Sequence, residues 1–269
     1  DATQWITNEA LNAGAQMIAI HNLCQSANIT LTEQETSNIQ SSVNNNWDTN
    51  GDVFTAMGVS KDSLIKMSEN TALMQKLFTS IYGEGGSKAV ATADIEQYYF
   101  DHYTTFKYIA VSLTDSSGND FSQEDKDKTK ENLQKYLDSY LEGKTFSEVT
   151  QDYNADHPNA TVTGREVVTD LESASYSEEI TKALNDLSAG EGTIVTSGKY
   201  MYLLFKYDIS KETSYLDENK DSILYAMKGE EYEAMIEEEA KKITYEKNDG
   251  AISKYSPSWL EGVIQSNAS

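Results

Sequence analysis

Histidine and cysteine, which are common in metal sites and activated nucleophiles, are few and scattered in this 269-residue chain. The histidines are His21, His102 and His157, and the single cysteine is Cys24. Helical spacing predicts that Cys24 lies on an apolar helix face, where a buried thiol is inert. Isolated histidines are more often solvated or hydrogen-bonded than catalytic, so we expect no metal site and no histidine-activated nucleophile. The loop predicted at 44–52 is rich in oxygen ligands, but its glycine is misplaced for a calcium loop and no bidentate glutamate follows.

The charge of the chain argues against two classes of partner. Lysine and arginine total 21 against 44 aspartates and glutamates, which gives a net charge of −23. Nucleic-acid backbones and anionic lipid surfaces are bound through clustered basic side chains, so we expect neither as a partner. No apolar run is long enough to span a bilayer. A single cysteine leaves no internal disulfide.

The first hundred residues have the periodicity of helices. Apolar residues spaced by three and four positions predict a helix over 6–27. The sequence Thr-Glu-Gln-Glu at 32–35 is a capping box that opens a second helix reaching Trp47. Ser60 is predicted to cap a third helix, and Thr92 is predicted to cap a short helix over 95–101. This part of the chain is therefore predicted to be entirely helical.

The middle of the chain changes to mixed α and β character. The run F-K-Y-I-A-V-S-L at 106–113 is typical of a strand, and Ser122 opens a charged helix. Further strands are predicted around 161–168, 193–197 and 200–207, with a helix over 176–188 before the last two. From 215 to 243 the chain is helical again. The fold class is thus predicted to be α+β, with helical segments flanking a small sheet.

Three motifs in this middle part occur in a fixed order. They are G-K-T-F-S-E-V-T-Q-D-Y-N-A-D (143–156), A-L-N-D-L-S-A-G-E-G-T-I-V (183–195) and S-G-K-Y-M-Y-L-L-F (197–205). The order resembles that of the parvulin-type peptidyl-prolyl isomerases, or rotamases. Segments outside the middle part resemble those of PrsA/SurA-type extracytoplasmic foldases, including the SurA N-terminal-like region: 60–78, 93–99 and 251–260.

The resemblance implies a particular domain organisation. In these foldases a parvulin domain is inserted into a helical chaperone domain. Carried over to this chain, the helical chaperone domain would be discontinuous and consist of 1–102 and 211–269. The inserted parvulin-like domain would be 103–210, an α+β domain with a small antiparallel sheet and flanking helices.

The resemblance also implies catalytic positions. Parvulins bind the twisted X-Pro amide better than the planar one, using two histidines on adjacent strands with a nearby Cys or Asp. Tyr108 stands in the first histidine position. The second falls on Tyr200 if the Gly198 turn is aligned, or on Tyr202 if the residues after the strand are aligned. Asp156 matches the Cys/Asp position.

Both family histidines are thus replaced by tyrosine in this alignment. Tyr176 and Ile180 fall near the positions of the prolyl pocket, as substrate-binding residues. A tyrosine hydroxyl donates and accepts hydrogen bonds, but it does not titrate near neutral pH as imidazole does. Tyr108 and Tyr200 are also interpretable as a core aromatic pair with no catalytic role. The G-G-x-L-G segment of active parvulins is replaced by T-V-T-G-R-E at 161–166.

Three functions follow from these observations. The first is an extracytoplasmic foldase and chaperone for unfolded or newly secreted polypeptides, with weak or lost isomerase activity. The alternatives are a fully active peptidyl-prolyl isomerase and a surface peptide- or ligand-binding protein without a chaperone role. We expect no cofactor. The resemblance implies a cell-surface lipoprotein or a secreted protein, which contacts a membrane only through a removed N-terminal anchor, and it leaves a homodimer open.

Overall fold

The computed structural model describes residues 2–159 and 161–254, together with Trp259 and Gly262. Within the foldase-like tail at 251–260, residues 255–258 and 260 lie outside the described part. The chain divides into two compact units at 91/92 and 223/224. We call 1–91 with 224–269 the helical unit, and 92–223 the sheet unit. The domain boundaries predicted at 102/103 and 210/211 stay predictions.

The helical unit contains only helices among its described residues. They are α1 (Ala2–Ser26), α2 (Glu33–Ala56), α3 (Lys61–Tyr82), the second part of α8 (Thr213–Ala240) and α9 (Asp249–Lys254). The predicted capping box is present at the start of α2, where Thr32 and Glu35 satisfy each other's backbone N–H groups. Ser60 caps α3 by accepting a hydrogen bond from the Ser63 N–H.

The loop predicted at 44–52 is wrong, because α2 continues through it to Ala56. Its asparagines, which commonly favour turns, pair along the helix instead, as in the 2.8 Å hydrogen bond from Asn50 Nδ2 to Asn46 Oδ1. Trp47 and Phe54, seven positions apart on the same helix face, stack with ring centroids 5.9 Å apart. These side-chain contacts hold the segment helical although its residue types have low helix propensity.

The core of the helical unit joins its two chain segments. Phe78 on α3 packs against Tyr225 and Tyr232 of α8, with ring centroids 5.0 and 5.2 Å away. The Tyr232 hydroxyl donates a 2.6 Å hydrogen bond to the Met74 carbonyl, across 158 positions of sequence. Cys24 is buried, as the sequence predicts, and burial raises the pKa of its thiol.

The sheet unit is an α+β structure built on four antiparallel strands. Its elements are α4 (Thr92–His102), β1 (Tyr103–Ser112), α5 (Gln123–Leu141), α6 (Phe146–Asp156), β2 (Arg165–Asp170), α7 (Glu178–Asp186), β3 (Gly192–Ser197), β4 (Tyr200–Tyr207), a 3-10 turn (Ile209–Lys211) and the first part of α8. The strand order is β2-β1-β4-β3. The predicted fold class, a small antiparallel sheet with flanking helices beside a helical part, is confirmed.

Both faces of the sheet are apolar, and each is covered by different helices. Alternate side chains of β1 and β4, such as Ile109, Leu203 and Phe205, pack against α5 and α6. The intervening residues, such as Phe106 and Leu204, pack against α7. Because α7 has only nine residues, it leaves part of its sheet face less covered.

Candidate functional site

The partly covered face carries three tyrosines on the two central strands. Tyr108 lies on β1, and Tyr200 and Tyr202 lie on β4. The antiparallel register pairs Ala110 with Tyr202 and Ser112 with Tyr200, and it places all three tyrosines on one face of the sheet. We call Tyr108, Tyr200 and Tyr202 the tyrosine platform.

The rings of the platform form a chain of contacts. Tyr108 and Tyr202 have centroids 5.8 Å apart, and Tyr202 and Tyr200 have centroids 6.2 Å apart. Of the two alternatives for the second histidine position, Tyr202 is therefore the one that contacts Tyr108. Tyr200 lies one step further along β4 with 46% of its surface exposed. Burial, followed by the neighbouring tyrosines, raises the pKa of Tyr202, so its hydroxyl stays protonated at neutral pH.

Helix α7 forms the wall beside the platform. Ser177 begins the helix by accepting a hydrogen bond from the Ile180 N–H, and Ile180 and Leu184, four positions apart, point to the sheet. Tyr176, just before the cap, meets Phe106 edge to face at 5.7 Å. Burial, followed by Tyr108, raises the pKa of Tyr176. The pocket positions Tyr176 and Ile180 thus lie in the same apolar cluster as Tyr108 and Tyr202.

Asp156 is not part of this arrangement. It is the last residue of α6, whose residues Val149 and Tyr153 pack on the opposite face of the sheet. Its carboxylate accepts a 2.8 Å hydrogen bond from the Tyr136 hydroxyl of α5. Burial, followed by this hydrogen bond, raises the pKa of Tyr136. The structure brings Tyr108, Tyr200, Tyr202, Tyr176 and Ile180 together, whereas the Asp156 carboxylate is bonded to Tyr136 of α5.

Of the three histidines, His157 lines a pocket together with Tyr200 of the platform. His157 stacks on Tyr153 with ring centroids 4.3 Å apart, and its ring nitrogens lie 2.8 Å from Asn132 Nδ2 and from the Tyr153 carbonyl oxygen. His102 stacks on Tyr98 at the end of α4, and His21 is exposed on α1. In the described part of the chain, no group of three or more His, Cys, Asp or Glu side chains is arranged to hold a metal ion.

One residue of this face could not be identified from the sequence. Arg165, the only arginine of the chain, begins β2 and pairs directly with Tyr108, so it shares the face of the platform. Its side chain is exposed. Nothing in the sequence shows the register of β2 against β1, because the segment before it has no periodic pattern.

The tyrosine platform can bind a ligand through the contact area of its rings and through hydrogen bonds to its hydroxyls. Tyrosine gives a large contact area at low entropic cost, and its hydroxyl both donates and accepts. The arrangement can hold an apolar or aromatic side chain by contact with the rings and hydrogen bonds to the hydroxyls.

Comparisons with known proteins give likeness to solved structures only. No protein-family model matches the sequence, and no curated protein does. The chain is similar to foldase protein PrsA from Streptococcus pneumoniae, with 16% identity, a TM-score of 0.43 and coverage of 94% of this chain and 90% of that chain.

Two further solved structures have the same relation to this chain. For PrsA from Bacillus subtilis, identity is 18%, the TM-score is 0.34 and coverage is 91% of this chain and 89% of that chain. For the peptidylprolyl isomerase PrsA from Bacillus anthracis, identity is 15%, the TM-score is 0.31 and coverage is 86% of this chain and 98% of that chain. No helix in the described residues is both long and apolar enough to cross a membrane.

Proposed function

We propose that this protein is an extracytoplasmic foldase that binds unfolded or newly secreted polypeptides, with isomerase activity that is weak or lost. The observation that carries the proposal is the tyrosine platform beside the α7 wall. Tyr108 and Tyr202 are half-buried and Tyr200 is exposed, so apolar contact area remains open to a partner. An extended chain supplies alternating side chains that could cover these rings.

The weak isomerase activity follows from what surrounds the platform. A twisted amide is stabilised by positioned polar groups, and removal of one such group in enzymes typically slows the reaction about 10²–10³-fold. Here the imidazoles are replaced by tyrosines, and Asp156 is engaged with Tyr136 on the other face. Isomerisation needs no proton transfer, so an apolar pocket alone would retain a small rate enhancement.

The expected setting rests on the resemblance of the sequence motifs to those of extracytoplasmic foldases. The protein would act at the cell surface as an anchored lipoprotein or as a secreted protein, alone or as a homodimer, and without a cofactor. A net charge of −23 attracts basic segments and repels nucleic acid. The attraction should fade with salt, because the screening length falls to about 8 Å at 0.15 M ionic strength.

The proposal is tested by the aggregation of unfolded client proteins. We expect the full chain to suppress light scattering by a basic client more than by an acidic one at low salt. The difference should shrink at high salt. The double variant Tyr108→Ser/Tyr202→Ser should suppress aggregation less. Tyr245→Ser, which removes an exposed tyrosine outside the sheet unit, is the control.

Two results would change the proposal. Equal scattering with and without the wild-type chain would remove the chaperone role and leave a peptide- or ligand-binding surface protein. A rate of X-Pro isomerisation in the range of histidine-containing parvulins would show a fully active isomerase in which tyrosines do the work of the histidines.

A further inference from the structure

One edge of the four-stranded sheet is open. Among the described residues, β2 pairs with β1 alone, so the outer backbone groups of residues 165–169 have no strand partner. The other edge strand, β3, is contacted by both α5 and α7. An edge strand offers a row of free N–H and C=O groups, and natural proteins usually cover or protect it.

A groove runs beside this open edge. Its volume is about 550 Å³, within the range of a ligand site. The lining residues come from β2 and from the chain at the start of α8: Glu166, Val167, Val168, Glu212, Ser214, Tyr215 and Glu218. Tyr215 is held in place by ring contacts of 6.2 Å to Tyr99 and 6.1 Å to Tyr103. The groove lies entirely within the sheet unit. One of its sides is the edge of β2, and the other is the chain at the start of α8.

The groove is acidic. Three of its lining residues are glutamates and none is basic. Glu166 is paired with Lys107 at 3.0 Å. Within the described part of the chain, Glu212 and Glu218 have no ion pair with a lysine, arginine or histidine. A segment that enters the groove therefore meets the carboxylates of Glu212 and Glu218 along one side and unpaired backbone groups along the other, with the exposed Arg165 at the start of the strand.

We propose that an extended, lysine- or arginine-bearing polypeptide segment adds to β2 as a fifth strand. The main-chain groups of residues 165–169 would bond its backbone, and Glu212 and Glu218 would attract its basic side chains. Strand addition depends mainly on main-chain hydrogen bonds and on few side chains, so it is suited to partners that share no fixed sequence. The proposal rests on the proposed function in one respect, namely that the ligand is a polypeptide. A segment held at the outer edge of β2 lies two strand spacings, about 10 Å, from the strand that carries Tyr108.

The test uses fluorescence anisotropy of labelled nine-residue peptides with the full chain. A peptide of alternating lysine and valine should bind at low salt, and its glutamate counterpart should bind at least about tenfold more weakly. Two N-methylated versions, methylated at odd or at even positions, separate strand addition from charge attraction. An added strand pairs through one edge only, so one version should lose binding and the other should retain it. Equal binding of both versions would overturn the proposal.

Variants locate the site. The double variant Glu212→Gln/Glu218→Gln should bind the lysine peptide several-fold more weakly than wild type at low salt. At high salt the two proteins should bind it equally. Glu131→Gln/Glu142→Gln removes the same charge from exposed positions at α5 and should leave binding unchanged. Equal effects of the two pairs would place the peptide elsewhere and overturn the assignment.

The remaining outcomes separate this inference from the proposed function. The double variant Tyr108→Ser/Tyr202→Ser should still bind one N-methylated peptide and not the other, because β2 is unchanged. This should hold even if the variant no longer suppresses aggregation. A second copy of the chain is the competing occupant of the β2 edge, and sedimentation of the chain without peptide measures whether it dimerises. A dimer that forms without peptide and is dispersed by the lysine peptide would make a second copy the occupant and overturn the proposal.

Discussion

Replacing Tyr232 by phenylalanine should lower the free energy of unfolding of the helical unit by about 1 kcal/mol. The hydroxyl is fully buried and donates a 2.6 Å hydrogen bond to the Met74 carbonyl. A neutral buried hydrogen bond contributes about 0.5–1.5 kcal/mol net. The ring stays in place in this variant, so its edge-to-face contact with Phe78 at 5.2 Å is kept. Met74 lies within α3, so its carbonyl retains a helical partner and the loss stays in this range.

Tyr82 in the same cluster provides the matched control. Its ring packs against Phe78 and Tyr232, but its buried hydroxyl has no hydrogen bond of acceptable geometry among the described residues. Burial raises the pKa of Tyr82, and the nearby Glu231 carboxylate raises it further. That carboxylate is not placed to accept a hydrogen bond from the Tyr82 hydroxyl. Since no hydrogen bond is lost, Tyr82→Phe should change the free energy of unfolding by less than about 0.5 kcal/mol.

Urea unfolding followed by tryptophan fluorescence measures both variants. All three tryptophans, Trp5, Trp47 and Trp259, belong to the helical unit, so their signal reports on that unit. Tyr232→Ala extends the series, because removal of a buried aromatic ring costs about 3–5 kcal/mol. Equal effects of Tyr232→Phe and Tyr82→Phe would contradict the reasoning, since it assigns the difference to one hydrogen bond between the two chain segments of the unit.

Two further predictions concern single side chains of the helical unit. The hydrogen bond from Lys76 lowers the pKa of Glu35 to about 2, so its stabilising effect is present above the ordinary value of 4.5 and is lost as pH falls through about 2. Glu35→Gln should therefore lower the melting temperature slightly at pH 7, and the difference from wild type should shrink as the pH falls from about 4.5 to about 2; a constant difference across this range would contradict the assignment. The Cys24 thiol should react with a disulfide reagent only after unfolding, because it is buried with a raised pKa; rapid reaction in the native protein would contradict its burial, and added urea provides the positive control.

Local signals in the sequence were enough to predict several elements. The capping box at Thr32 and Glu35 and the cap at Ser122 are formed as expected, because a cap depends on a few adjacent residues. The strand predicted at 200–207 matches β4, since turn residues and alternating apolar side chains define it. These features need no information about distant parts of the chain.

Features that depend on distant contacts could not be predicted in the same way. The helix through 44–52 is held by pairs along its own surface that outweigh weak propensity. The orientation of Asp156 depends on how the end of α6 packs against Tyr136 of α5. The neighbour of Tyr108 on β4 depends on the register of two strands about 90 positions apart, which the sequence left open between Tyr200 and Tyr202.

The tyrosine platform is tested most directly by exchange NMR on a short X-Pro peptide that carries an aromatic residue. We expect wild-type protein to broaden the peptide signals through binding but to leave cis–trans exchange far slower than a histidine-containing parvulin would make it. Tyr108→Ser/Tyr202→Ser should abolish the broadening, and Tyr245→Ser should retain it. Signals that are unaffected by the wild-type chain, or broadened equally by the double variant, would contradict the assignment of this face as the binding site.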